Sequence, residues 1–154
     1  MRQYATSLDG SRLRIGVAVS RFNSVVTERL LEGALAGLKQ QGVPDDGIEV
    51  GHVPGAFELP LLADLLARSH RLDAVVCLGA VVRGETPHFD MIAQWVVAEL
   101  GRLSIVHRLP VALGVLTTNT IEQALERAGG AHGNKGTDAA LVAIEMANLA
   151  RQFE

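Results

Sequence analysis

The sequence predicts a three-layer α/β domain, with helices on both faces of a parallel sheet. Three observations predict it. Short apolar runs alternate with segments of helical periodicity along most of the chain. One run, Asp73 to Val82 (DAVVCLGAVV), is almost continuously apolar, as in a strand covered on both faces. The order βαβαβαβαα calls for right-handed crossovers between parallel strands.

The elements follow in order. Arg14 to Ser20 (RIGVAVS) is the first strand. From about Thr27 to Gln41, the residues Leu30, Leu31, Ala34, Leu35 and Leu38 share one helical face, and Gly42-Val43-Pro44 stops that helix. Ile48 to Val53 is the second strand. Phe57 to His70 is helical, with Leu61, Leu62, Leu65 and Leu66 on one side. Asp73 to Val82 is the third strand, a long helix follows from Pro87 to about His107, and Val111 to Leu116 is the fourth strand. Thr120 and Gln123 have capping-box spacing at the start of another helix, which Gly129-Gly130 ends. A last helix runs from about Gly136 to Gln152. The expected result is a flavodoxin-like, four-stranded parallel sheet in one domain spanning residues 1–154. Segment 1–12 is a candidate extra edge strand, on this sheet or on a neighbouring subunit's.

Two helices are too apolar for a lone small domain. In the helix after Pro87, Phe89, Ile92, Ala93, Val96, Val97 and Leu100 form one stripe, while Met91, Trp95 and Ala98 lie elsewhere. The last helix carries Ala139, Ala140, Leu141, Ala143, Ile144, Met146, Ala147 and Leu149 around much of its circumference. A helix that is apolar all round is buried. A thicker internal core or a subunit contact would satisfy it.

Composition sets outer limits. The chain has 154 residues, 48% hydrophobic and 20% charged, with a formal net charge of −3. That size suits one domain with its own core, and the acidic balance argues against a general nucleic-acid binder. The single cysteine, Cys77, has no internal disulfide partner and sits in an apolar strand, where a thiol packs as a small hydrophobe. The N-terminus lacks a signal-peptide stretch, and no apolar run reaches membrane-spanning length. The expectation is a cytoplasmic protein.

Open parallel sheets bind ligands beyond the carboxyl ends of their strands. Those ends are Ser20-Arg21-Phe22-Asn23, Pro54-Gly55-Ala56-Phe57-Glu58, Arg83-Gly84-Glu85-Thr86-Pro87-His88 and Thr117-Thr118-Asn119-Thr120. The third is the most informative. Thr86 can cap a helix and Pro87 suits its first turn. Free N–H groups and the helix dipole there make an anion site, and Gly84 lets the backbone approach a ligand. His88 falls in the first turn, where the dipole disfavours the imidazolium, so it can pass a proton. An ordinary cap with a surface histidine is the plainer alternative. Arg127 suits a bidentate phosphate contact, and Lys135 lies in Gly133-Asn134-Lys135-Gly136. For either residue alone, a solvated surface charge is the plainer reading. No P-loop, G-x-G-x-x-G turn, zinc spacing or G-x-S-x-G elbow is present.

Taken together, Ser20-Arg21-Phe22-Asn23, Val53 to Glu58 (VPGAFE), Gly79 to Asp90 (GAVVRGETPHFD), Gly114 to Arg127 (GVLTTNTIEQALER) and Gly133-Asn134-Lys135-Gly136 resemble the lumazine synthase family. The likeness runs from about Leu13 to Leu149. It implies condensation of 5-amino-6-(D-ribitylamino)uracil with 3,4-dihydroxy-2-butanone 4-phosphate, the penultimate step of riboflavin biosynthesis, with no cofactor and no metal. By position, Phe22 would stack on the pyrimidine and Asn23 would support its loop. Ala56, Phe57 and Glu58 would line the ribityl site. Ala80, Val81 and Val82 would present backbone groups to the pyrimidine edge. Glu85, Thr86 and Arg127 would hold the butanone phosphate, with Lys135 nearby, and His88 would donate and accept protons.

The sequence departs from the family at Leu113, where many members carry a Phe that packs near the ligand from the adjacent subunit, and at Asp138, where Glu is more usual. The resemblance also implies pentamers with active sites between subunits. The short Gly129 to Gly133 segment is compatible with a 60-subunit shell of twelve pentamers. A non-catalytic flavin- or nucleotide-binding module and a structural shell protein are the competing readings.

Overall fold

The computed structural model describes residues 1–154. Four parallel strands form the main sheet: β1 (Ile15–Ser20), β2 (Ile48–Val53), β3 (Ala74–Val82) and β4 (Val111–Thr118), in the order β2-β1-β3-β4. Helices α1 (Ser24–Gln40) and α2 (Leu59–Arg68) follow β1 and β2, and α3 (His88–His107) follows β3. After β4 come α4 (Ile121–Glu126), a small antiparallel pair β5 (Ala128–Gly130) and β6 (Gly133–Asn134), and α5 (Lys135–Ala150).

Alternation along β3 shows why three layers form. Ala74, Val76, Leu78 and Ala80 point into one core with α1 and α5, while Val75, Cys77 and Val81 point into another with α2 and α3. Successive strand side chains face opposite sides of the sheet, so an unbroken apolar strand needs a cover on each. Leu78 is wholly buried; cutting such a residue back to Ala costs roughly 2–5 kcal/mol.

The strand order reverses between β1 and β3. In an open α/β sheet the crevice beyond the carboxyl ends at such a reversal is the ligand position. The loops after β1 and β3 open there.

Several boundaries differ from expectation. Residues Ala56–Glu58 form a 3-10 turn, and α2 proper starts at Leu59. The chain leaves α2 through His70 in the left-handed region, φ 55. Segment 1–12 adds no strand to its own sheet. It lies along α5 instead: Asn148 Nδ2 donates to the Ser7 and Asp9 carbonyls, and Gln152 bonds both N–H and C=O of Ala5. The pair β5–β6 was not anticipated, since Gly129 (φ 97) and Gly133 (φ 77) leave only a few residues with strand geometry. The apolar helices are not wholly buried either. On α3, Val96, Leu100 and Leu103 enter the core while Met91, Val97, Ile105 and Val106 remain exposed, as do Val142 and Met146 on α5. No helix is long and apolar enough to cross a membrane.

Candidate active site

Strand-end loops form a cleft through specific backbone ties. Asn23 adopts the left-handed conformation (φ 62) just before α1, and its carbonyl accepts from Val26 and Thr27 N–H groups. An Asn tolerates this geometry better than most side chains. Its side-chain Nδ2 then donates to the Ala80 carbonyl at 3.0 Å, fastening the first loop to the end of β3. The Phe22 N–H donates to the Pro54 carbonyl at 3.0 Å, which fastens it to the second loop. Phe22 is consequently presented to solvent, 70% exposed.

The second loop braces itself. Glu58 Oε2 accepts from the Gly55 N–H at 3.1 Å. This closes the three-residue turn and sets Phe57 outward, 52% exposed. One carboxylate oxygen of Glu58 therefore serves the loop, as a helix-start residue would.

The third loop is held by Arg83. Its N–H donates to the Thr118 carbonyl at 2.9 Å, and its Nε donates to Asn119 Oδ1 at 2.9 Å. The guanidinium also stacks over the Phe89 ring, 4.4 Å from the centroid, and approaches Asp90 at 3.5 Å. Arg83 thus joins the ends of β3 and β4 to the first turn of α3. The start of that helix corrects one expectation. Pro87 is the N-cap and Thr86 makes no cap bond. The Pro87 carbonyl accepts the first helical N–H bonds, from Asp90 at 3.1 Å and Met91 at 3.4 Å, so the helix starts one residue late, at His88. The early N–H groups of α3 are left without a side-chain cap, which suits an anion.

These loops enclose a cavity of about 690 Å³. Phe22 and Asn23 line it from the first loop, Ala56, Phe57 and Glu58 from the second, Ala80, Val81 and Val82 from β3, and Thr86 and His88 from the third. Pro54, Gly55, Gly84, Phe89 and Ile92 complete it. Of these, Phe89 and Ile92 escaped sequence reasoning, although the helical spacing of 88, 89 and 92 puts them on one face. Gly84 has open space where a side chain would start.

Four expected residues do not line the cavity of their own chain: Glu85, Leu113, Arg127 and Lys135. Arg127 ends α4, with its guanidinium donating to the Gln123 carbonyl at 3.0 Å. The Thr120–Gln123 capping box forms as expected. Lys135 is the first residue of α5, and its N–H donates to the Arg127 carbonyl at 2.8 Å, so the two cations are neighbours in the backbone. Leu113 lies on β4 with 38% of its surface exposed.

No three His, Cys, Asp or Glu side chains converge as metal ligands would. Cys77 is fully buried in the middle of β3, and burial pushes its thiol up to about 12, so it is not a nucleophile at neutral pH.

The sequence was compared with known proteins. The family model described as 6,7-dimethyl-8-ribityllumazine synthase matches residues 12–151. A protein of Desulfatibacillum aliphaticivorans named 6,7-dimethyl-8-ribityllumazine synthase is 50% identical over 153 residues, covering 99% of each chain. With the motifs in order and the match spanning nearly every element of the fold, the chain belongs to the 6,7-dimethyl-8-ribityllumazine synthase family.

Proposed function

We infer that this protein condenses 5-amino-6-(D-ribitylamino)uracil with 3,4-dihydroxy-2-butanone 4-phosphate to 6,7-dimethyl-8-ribityllumazine, inorganic phosphate and two waters. The observation that carries this is one cavity lined by residues of three of the five resembling motifs, those at the ends of β1, β2 and β3, within a family match to residues 12–151. The 5-amino group attacks the butanone carbonyl, and loss of water leaves an imine. Phosphate is then eliminated, the ribityl-bearing amine closes the second ring, and a second water leaves.

Roles follow from position. Phe22 offers a face for the pyrimidine, on a loop that Asn23 supports. Ala56, Phe57 and the free oxygen of Glu58 suit the ribityl hydroxyls. Backbone groups of Ala80, Val81 and Val82 meet the pyrimidine edge. Thr86 and the uncapped start of α3 hold the phosphate, and Glu85, outside the cavity lining, would add only its backbone N–H beside them. His88 passes the protons that each step moves. Much of the acceleration comes from holding two substrates in register.

The reading extends to assembly. Arg127, Lys135 and Leu113 lie outside their own chain's cavity, and α3 and α5 expose apolar side chains. In a pentamer a neighbour's Arg127 would complete the phosphate pocket, with its Lys135 nearby and its Leu113 against the ring. Segment 1–12, which forms no strand in the lone chain, would have to leave α5 to add an edge strand to a neighbour's sheet. The short β5–β6 connection suits twelve such pentamers in a shell. Light scattering tests the size: the mass of five chains rejects the shell, and that of one chain rejects the shared site.

Mixing the two substrates while following lumazine fluorescence and phosphate release tests the activity. Binding without turnover would instead indicate a ligand-binding module, and neither would indicate a structural shell.

A further inference from the structure

We propose that Trp95 is a positioning residue that fixes Phe57, and through it the wall of the cavity that takes the ribityl-bearing substrate. The inference rests on the function proposed above.

Trp95 is the only tryptophan in the chain. Its indole makes two contacts with one residue. Nε1 donates to the Phe57 carbonyl at 3.2 Å, and the two rings stack with centroids 5.4 Å apart and an interplanar angle of 29°. The first contact pins the backbone of the 3-10 turn and the second pins the ring. Neither aromatic belongs to the two buried cores, and Trp95 is 40% exposed. Each ring therefore relies on the other for its orientation. Phe57 lines the cavity, whereas Trp95 stands behind it.

Helix geometry ties this pair to the proton-transfer residue. Seven residues separate His88 from Trp95, which is close to two turns and about 10 Å along one face. Ile92, between them on that face, also lines the cavity. The Trp95 contact thus spans from α3 to the second loop. It sets the distance between the helix that carries His88 and the turn that carries Phe57 and Glu58.

A rigid wall helps only the substrate that touches it. Loss of the clamp should weaken the uracil and spare the phosphorylated butanone. The test measures both KM values, kcat and assembly mass for wild type, Trp95→Phe and Trp95→Ala, with calorimetric titration of ribitylaminouracil alone. Trp95→Ala is expected to raise KM and Kd for the uracil roughly 5- to 20-fold, the worth of an aromatic pair and a hydrogen bond incompletely transmitted. Trp95→Phe keeps a ring and loses the N–H, so about 2- to 5-fold is expected. The butanone KM and the assembly mass should stay unchanged. Equal changes in both KM values, a changed mass with soluble Trp95→Phe, or no change in the uracil constants would each overturn the proposal. Calorimetry keeps the two inferences separable. If wild type binds the uracil without turnover, the enzyme reading fails, while the Kd ratio still decides the role of Trp95.

Discussion

Gly136→Ala tests whether the contact between α1 and α5 is as close as the structure has it. Gly136 lies in the first turn of α5. A methyl group built there would lie 2.8 Å from the carbonyl carbon of Leu30 on α1 and would overlap the oxygen of the same group. Carbon atoms settle at about 3.5–4.0 Å, so the helices must part by at least about 0.7 Å. Neither partner is a flexible tip, since Leu30 is fully buried and the obstruction is backbone. Retreat of α5 would loosen Ala140, Ala143 and Ile144 against the sheet and strain the cap bonds from Gly136 and Thr137 to Asn134 Oδ1, now 2.8 and 3.2 Å. Overpacking of this kind costs about 1–3 kcal/mol. Removing a helical glycine returns roughly 0.5–1 kcal/mol. The net is about 1–2 kcal/mol of destabilisation, or about 2–8 °C in Tm for a domain of this size. Circular dichroism through a thermal ramp measures it. A midpoint equal to or above wild type would mean that helix propensity outweighs the clash, and the close crossing would be wrong. The same variant should also displace Lys135, whose N–H donates to the Arg127 carbonyl at 2.8 Å, and so weaken the phosphate site proposed for those two residues.

Gly84→Ala has open space around its new methyl, so Tm should hold while the KM for the phosphorylated substrate rises roughly 3- to 10-fold; a fall in Tm would contradict the open site. His88→Ala should slow turnover by ~10²–10⁴-fold without abolishing it, and kinetics matching wild type across pH would remove His88 from proton transfer. Arg127→Ala should act mainly on the KM for the butanone phosphate, with an unchanged value excluding it from that pocket. Cys77, with its thiol pushed from 9.0 up to about 12 by burial, should resist thiol reagents at pH 8 until denaturant is added; prompt labelling of native protein would refute this. Because its folded pKa is raised, the stability its neutral form contributes is intact below pH 9 and is lost as pH climbs toward 12, by up to about 1.4 kcal/mol per pH unit. Cys77→Ala should flatten that alkaline slope.

Local pattern carried most of the fold. The unbroken DAVVCLGAVV run implied a doubly covered strand, and β3 faces two cores. The capping box at Thr120 and Gln123 formed because its bonds lie within one turn. The start of α3 was misjudged because Thr86 and Pro87 compete for one cap. Spacing allows either residue as the cap, and the Pro87 carbonyl takes the first helical N–H bonds, from Asp90 and Met91. The β5–β6 pair escaped because two glycines in the left-handed region obey no periodicity. The cavity lining was legible because ligands gather at strand ends. The position of Arg127, Lys135 and Leu113 outside the cavity was not legible, since helical and strand periods give no distance between separate loops. Trp95 read as an off-stripe apolar residue, and only three-dimensional contact reveals its grip on Phe57.

The strand order leaves one side of β2 without a partner. An unpaired edge is a template for any extended peptide, including the same strand of another copy. Glu49 on this strand is flanked by Arg14 at 3.8 Å and Arg71 at 3.0 Å, and the Arg71 hydrogen bond holds its carboxyl below the usual range. That carboxylate stays charged even in mild acid, and charge along an edge discourages indiscriminate zippering. Recovery of soluble protein should thus depend on Glu49 as well as on the two cores, because its charge deters chance pairing along an edge that the sheet leaves open.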